Sequence, residues 1–162
     1  MNTNKKASPW ILMSLFIIAS DQLTKYFVVK HFTEQTVVHV FPFLNFILRF
    51  NPGASFSFLG NASGWQVYFL SGISITVSLI LIVWLCRLPR SEWMTALPVS
   101  LVLGGALGNL IDRIRFGFVT DFIDFHVHGW HYATFNVADS AVSIGATWLI
   151  VRLLYESFTS KS

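Results

Sequence analysis

A chain of 162 residues has room for one domain, and 54% hydrophobic residues against 12% charged ones exclude an ordinary soluble domain. The net charge of +3 and pI near 9.2 raise the question of nucleic acid, but the eleven Lys and Arg residues are scattered and build no basic run, so no nucleic-acid partner is expected. A single cysteine, Cys86, excludes a disulfide framework and a multi-cysteine metal site.

The chain begins MNTNKK before an apolar run, the outline of a secretory leader. Ile17 or Ile18 stands where a signal peptidase reads a small residue, so this run is expected to stay as an uncleaved first span, 9–29. That span holds Asp21 and Lys25, four residues apart and therefore on one helix face, where a structural ion pair lowers the cost of each in lipid. In the next segment, 30–64, Phe46, Leu48 and Phe50 alternate with Asn45, Arg49 and Asn51, and Phe56 and Phe58 alternate with Ser55 and Ser57. Period two on both sides of Asn51-Pro52-Gly53 predicts strand, turn and strand, with Pro fixing the first turn angle and Gly tolerating a positive one. A Phe-rich sheet of this kind belongs at the membrane surface, either as a cradle for a peptide or as an anchor.

The runs 65–86 and 93–111 contain no charge, and each reaches the roughly 20 residues that cross hydrocarbon. The third span, taken as 93–112, carries Gly104 and Gly108 on a small-residue face, and the second a stripe of Ser71, Ser74 and Ser78; both are packing signals. A segment outside the membrane, 113–133, precedes a fourth span, 134–154, interrupted by Asp139. The predicted architecture is an all-α integral membrane protein of four transmembrane helices with a small β-sheet cradle outside the membrane, forming a single domain over 1–162.

An even number of spans puts both termini on one side. Lys5, Lys6, Arg87, Arg90, Arg152 and Lys161 then oppose Lys25, Lys30, Arg49, Arg113 and Arg115, a near balance that orients the chain only weakly. The same count brings Asp21, Asp112, Asp121 and Asp139 toward one membrane face, where carboxylates are costly and need a reason.

No HExxH, GxSxG or phosphate-binding glycine loop is present, so metalloprotease, serine hydrolase and NTPase chemistry lack their motifs. His126, His128 and His131 are possible zinc ligands, but no fourth donor is placed nearby, and solvated interfacial histidines are the ordinary case. GNLIDR sets Asn109, Asp112 and Arg113 on one helix turn, as a cap or as groups that orient another carboxylate. In FNVADS, Asn136 and Asp139 share a face; Asn136 is equally a helix N-cap with Asp139 favourably placed against the dipole. Asp121 stands 18 positions before Asp139, far enough for the chain to leave the membrane and return. Should the two carboxyls meet, one must hold a proton, giving a general acid and a general base; Asp124 is the rival member of such a pair.

Read in order, DQLTK (21–25), NPGASF (51–56), GNLIDR (108–113), VTDFID (119–124) and FNVADS (135–140) resemble bacterial lipoprotein signal peptidase, the type II signal peptidase, over nearly the whole chain. The resemblance implies an aspartic endopeptidase of the bacterial cytoplasmic (inner) membrane that cuts prolipoproteins just before a diacylglyceryl-modified cysteine, without a cofactor or metal. It matches Asp121 and Asp139 to the catalytic aspartates, and Asn51, Gly53, Asn109, Arg113 and Asn136 to residues that line or support the site. Asp21, Lys25 and Asp112 remain structural polar residues. Thr120 departs from the Val frequent there, and the three histidines inherit no role. It also implies cytoplasmic termini, an active site toward the periplasmic or outer face, prolipoproteins and membrane lipids as partners, and a monomer. A small ion- or proton-coupled transporter is the alternative that intramembrane carboxylates leave open.

Overall fold

The computed structural model describes residues 7–53, 64–127 and 130–159. Among them are four helices long and apolar enough to cross a membrane, α1 (Ile11–His31), α2 (Trp65–Arg87), α3 (Trp93–Phe116) and α4 (Val137–Thr159). They are joined to one antiparallel sheet of four strands in the order β1-β2-β3-β4: β1 (Val37–Phe41), β2 (Leu44–Asn51), β3 (Val119–Val127) and β4 (Trp130–Phe135). A short 3-10 turn, Ser8–Trp10, leads into α1.

Helix α3 is the centre of the bundle and packs against α1, α2 and α4. Its glycines make this possible. A methyl group at Gly104 would meet Ile17 Cβ and the Ser14 carbonyl, both at 2.8 Å, so α1 lies directly on the α3 backbone, and Ser14 Oγ donates to the Ser100 carbonyl (2.8 Å). Gly145 of α4 similarly lies against the Pro98 carbonyl, 2.7 Å from where its Cβ would be. Toward the termini, Leu81, Leu85, Ala96, Val99 and Leu103 form the apolar core, and the Ala7 N–H donates to the Leu88 carbonyl (2.9 Å). The outward faces carry Leu12, Phe16, Leu79, Ile80 and Leu153, all more than half exposed. Water would reject such a surface, whereas hydrocarbon is its natural solvent.

The chain passes from α3 into the sheet with almost no linker. Gly117 takes φ +77°, a left-handed conformation that suits glycine, and its N–H closes on the Arg113 carbonyl (3.0 Å), so α3 stops and β3 starts two residues later.

The sequence expectations are refined here. Alternation across 44–51 does form a strand, but β2 pairs with β1 and β3; the expected second strand at 55–58 lies outside the described residues. The fourth helix begins at Val137, because Ala133–Phe135, apolar enough to pass for the head of a span, complete β4. The segment between the third and fourth spans is therefore a β-hairpin, β3 against β4.

The sheet contains two register shifts that matter. From Phe46↔Ile123 to Arg49↔Asp121, β2 advances by three residues and β3 by two, a bulge with one extra residue in β2. From Phe125↔Ala133 to His126↔His131, β4 advances by two and β3 by one.

Candidate active site

The site is built where α1 and α3 end and α4 begins. Asn136 caps α4: its Oδ1 accepts the Asp139 N–H (2.8 Å), and the Asp139 Oδ2 accepts the Asn136 N–H (3.3 Å). This reciprocal pair is a capping box, written with Asn and Asp in place of Ser and Glu. Because Oδ1 is committed to the cap, the Nδ2 of Asn136 points the other way, into the site. There it donates to Asp121 Oδ1 at 2.7 Å, with the Asn109 Oδ1 (3.2 Å) and the Thr120 carbonyl (3.3 Å) nearby. Capping and site-building are thus one job of one side chain. Asn136 is fully buried and touches both Asp121 and Asp139.

Each carboxyl has a further amide donor. Asn51 Nδ2 donates to Asp121 Oδ2 (3.0 Å), and Asn109 Nδ2 donates to Asp139 Oδ1 (2.8 Å). Asn51 Oδ1 accepts the Gly53 N–H (3.0 Å), and the Gly53 carbonyl accepts from Arg113 Nη2 (3.3 Å). The Arg113 guanidinium is within electrostatic reach of Asp139, Asp121 and Asp112. It also lines a cleft of about 840 Å³ with Trp65, Tyr68, Ser71 and Ile114, between the sheet-side ends of α2 and α3.

Asp121 is 3% exposed, and its carboxyl is pushed up to about 7: burial penalises the ionised form most, the Asp139 charge adds to it, and the donors Asn51 and Asn136 with the Lys25 charge pull partly back. Asp139 is half-buried and is the more open of the two.

Beneath these carboxyls lies a buried ionic layer. Lys25 Nζ reaches Asp21 Oδ2 (2.8 Å), Asp112 Oδ2 (2.9 Å) and Asn109 Oδ1 (3.0 Å), so the expected pair with Asp21 is joined by a second carboxylate from α3. Asp21 Oδ1 accepts the Ala138 N–H (2.9 Å), an amide of the first turn of α4 with no partner in its own helix. Asp112 Oδ2 accepts the Thr120 N–H (3.1 Å), fixing the start of β3. Gln22, overlooked in the sequence, donates to Asp112 Oδ1 (2.8 Å), with Asp21 Oδ2 and the Gly108 carbonyl both at 3.2 Å. A glutamine inside an apolar span was the available signal. One layer therefore ties α1, α3, α4 and β3 together below the carboxyl pair.

Asp124 goes elsewhere. Side chains alternate along a strand, so Asp121 and Asp124, an odd number of residues apart, face opposite sides of the sheet. Asp124 accepts from Asn45 Nδ2 (3.1 Å) and from His131 Nδ1 (2.8 Å), and His39 Nδ1 bonds Asn45 Oδ1 (2.8 Å). A polar row, His39–Asn45–Asp124–His131, crosses all four strands. Among the described residues no group of three or more His, Cys, Asp or Glu is placed to hold a metal ion; His128 lies outside them.

The family described as signal peptidase (SPase) II matches residues 13–155. The chain belongs to the signal peptidase II family. Lipoprotein signal peptidases of Coxiella burnetii are 54% identical over 151 residues, 93% of each chain. That of Hydrogenovibrio crunogenus is 44% identical over 151 residues, 93% of this chain and 87% of that protein. A bacterial membrane enzyme solved by the in meso method at 2.3 Å resolution superposes with a TM-score of 0.81 at 33% identity, covering 93% of this chain and 90% of that one. With four helices able to span a bilayer, this member of the signal peptidase II family is a multi-pass bacterial membrane protein and a peptidase. The transporter alternative finds no support among its relatives.

Proposed function

We propose that this protein is an aspartic endopeptidase that removes the signal peptide from prolipoproteins, cutting just before the diacylglyceryl-modified cysteine, with Asp121 and Asp139 as its catalytic pair. The observation that carries the reading is Asn136, whose amide and backbone hold one carboxyl from a strand and one from a helix at a single point. Two carboxyls so placed share one proton, because both charges cannot persist at close range. Burial and the Asp139 charge favour that proton on Asp121 near neutral pH.

Asp139 then takes a proton from water as the oxygen attacks the scissile carbonyl carbon, while Asp121 gives its proton to the carbonyl oxygen. The tetrahedral intermediate collapses when the C–N bond breaks, the leaving nitrogen taking the proton that Asp139 gained and the hydroxyl proton returning to Asp121. Every proton is accounted for by the two carboxyls, so the mechanism calls on no metal or cofactor. Asn51, Gly53, Asn109 and Arg113 support the pair, and the cleft beside Arg113 offers a substrate chain a route past it.

A substrate anchored by acyl chains and an apolar signal helix presents its cleavage bond at the bilayer boundary. The pair lies at the helix ends opposite the termini, so this reading places the termini in the cytoplasm and the pair toward the outer face of the inner membrane, with the protein working as a monomer among membrane lipids. The test is a purified-enzyme assay on a diacylglyceryl-cysteine prolipoprotein peptide and its unlipidated form, with a chelator present. Cleavage of the lipidated form alone is expected. Equal cleavage of both forms removes lipid recognition, and substantial turnover by Asp139→Asn removes the catalytic pair.

A further inference from the structure

Lys25 touches neither carboxyl of the pair, yet its three N–H groups are all used, and one of them is spent on Asn109 rather than on a charge. The Asn109 amide explains why that matters. Its Oδ1 accepts from Lys25 Nζ (3.0 Å) and from Asn136 Nδ2 (3.2 Å), so donors occupy both of its lone-pair directions. Its Nδ2 is left to face Asp139 Oδ1 at 2.8 Å. Rotating the amide by half a turn would set N–H groups against an ammonium and an amide donor, all in a buried place where unmatched donors are costly.

We propose that Lys25 is a positioning residue for the catalytic pair, acting through Asn109: it locks the Asn109 amide with its N–H toward Asp139 and so keeps Asp139 in the role of proton acceptor. The proposal rests on the aspartic-peptidase reading above. Held in this way, Asp139 Oδ1 keeps one fixed position beside the Asn109 N–H, ready for water, while the shared proton stays on Asp121, where burial and the Asp139 charge outweigh the N–H groups of Asn51 and Asn136. The charged and titratable groups around Asp139 and Asn109 are Asp21 and Lys25 from α1, Asp112 and Arg113 from α3, and Asp121 from β3. Of these, only Lys25 reaches the pair by direct hydrogen bonding through Asn109, and its charge is also felt by both carboxyls. A cooperative chain of this kind, ammonium to amide to carboxylate, polarises each bond in turn.

A purely structural Lys25 would hold Asp21 and Asp112 and do nothing else, so the two roles separate in kinetics. The experiment uses the full-length enzyme in nanodiscs and the lipidated prolipoprotein peptide, with Lys25→Met, Lys25→Arg, Asn109→Ala and the Lys25→Met/Asn109→Ala double variant. Expected for Lys25→Met is a loss in kcat of about ten- to a hundredfold, as for other groups one contact removed from a reacting centre, with KM changed by less than about twofold. The acidic limb of its pH profile, set by the carboxyl that must accept a proton from water, moves to higher pH, since the Asn109 N–H no longer holds Asp139 as an acceptor. Lys25→Arg recovers much of kcat, and the double variant is no slower than Asn109→Ala alone, because Lys25 acts through Asn109.

Wild-type kcat and pH profile in a folded Lys25→Met enzyme overturn the proposal, as do losses that multiply in the double variant. Should Lys25→Met alone leave a buried carboxylate that prevents folding, Asp21→Asn/Lys25→Met removes one charge of each sign and is read against Asp21→Asn. A wild-type enzyme that cleaves while Asp139→Asn does not, alongside an unaffected Lys25→Met, sinks only the Lys25 role. A wild-type enzyme that does not cleave sinks the peptidase reading itself.

Discussion

Asp121 and Asp124 stand three residues apart on one strand, both almost fully buried, and live in different chemistry. Asp121 is served by two neutral amides and faces another carboxyl, so its proton is held to about 7. Asp124 is served by an amide and by the imidazole of His131, a partner able to carry positive charge, and meets no second acid in its row. Burial alone therefore does not set the chemistry of a carboxyl. The neighbour decides whether a buried carboxylate is reactive or merely satisfied.

The largest effect that could break this contrast comes from exchanging the two carboxyls for amides in turn. Asp121→Asn is expected to reduce cleavage of a lipidated peptide by on the order of 10⁴-fold, as loss of a central catalytic group does. Asp124→Asn is expected to keep cleavage within about tenfold of wild type, its cost appearing as lowered thermal stability of about 1–3 kcal/mol from the disturbed row. Comparable loss in both would end the distinction.

Asn136→Ala comes next, because it removes a helix cap together with the group that holds both carboxyls. Stability should fall by about 1–2 kcal/mol, measured by thermal unfolding, and kcat should fall far more than that loss explains.

The raised proton affinity of Asp121 has a sign that can be checked. A carboxyl that titrates at about 7 when folded and at 3.8 when free favours the fold in its protonated form. Its contribution is complete below about 4, declines as pH rises, and is lost once pH passes about 7. Asp121→Asn has no such dependence, so its melting temperature should gain on wild type between pH 4 and 7 and run parallel outside that window. No gain would mean that Asp121 is not held protonated by its surroundings.

Smaller effects sharpen the lower half of the site. A methyl group at Gly108 would come within 2.9 Å of Asp21 Oδ2 and 3.3 Å of Ala138 Cβ, so Gly108→Ala must displace the carboxylate that holds α4. A destabilisation of about 1–3 kcal/mol with a parallel fall in kcat is expected. His131→Ala should be the mildest change, about 1 kcal/mol or less, since the imidazole is largely exposed and its bond with Asp124 is partly screened by solvent. Cleavage should stay near wild type.

What the sequence revealed follows from range. The charge-free runs 65–86 and 93–111 announce helices because hydrocarbon selects for continuous apolar composition, and Asp21 with Lys25 announces an ion pair because one helix turn joins them. Asp112 as the third partner was hidden, since it meets Lys25 only when α1 packs on the glycines of α3. The hairpin of β3 and β4 was hidden for a different reason. VTDFID is buried on both faces of the strand, so it lacks the alternation that marks a half-buried one, and Ala133–Phe135 mimic a span. Asn136 allowed two readings, a helix cap or a group beside the carboxyls, and the one side chain does both: its Oδ1 accepts the Asp139 N–H while its Nδ2 donates to Asp121.

The bulge in β2 sets a rule of counting. Asn45 and Asn51 are six positions apart, which on a regular strand would place both amides on the same side. One surplus residue lets Asn51 serve Asp121 while Asn45 serves Asp124 across the sheet. Ile47 and Leu48, both buried, occupy the irregular stretch and can exchange for other apolar side chains at modest cost. Removing either of them is another matter: the parity of the strand would change, and one asparagine would desert its aspartate although no polar residue had been altered. In this strand, the number of residues binds the site more strictly than their identity.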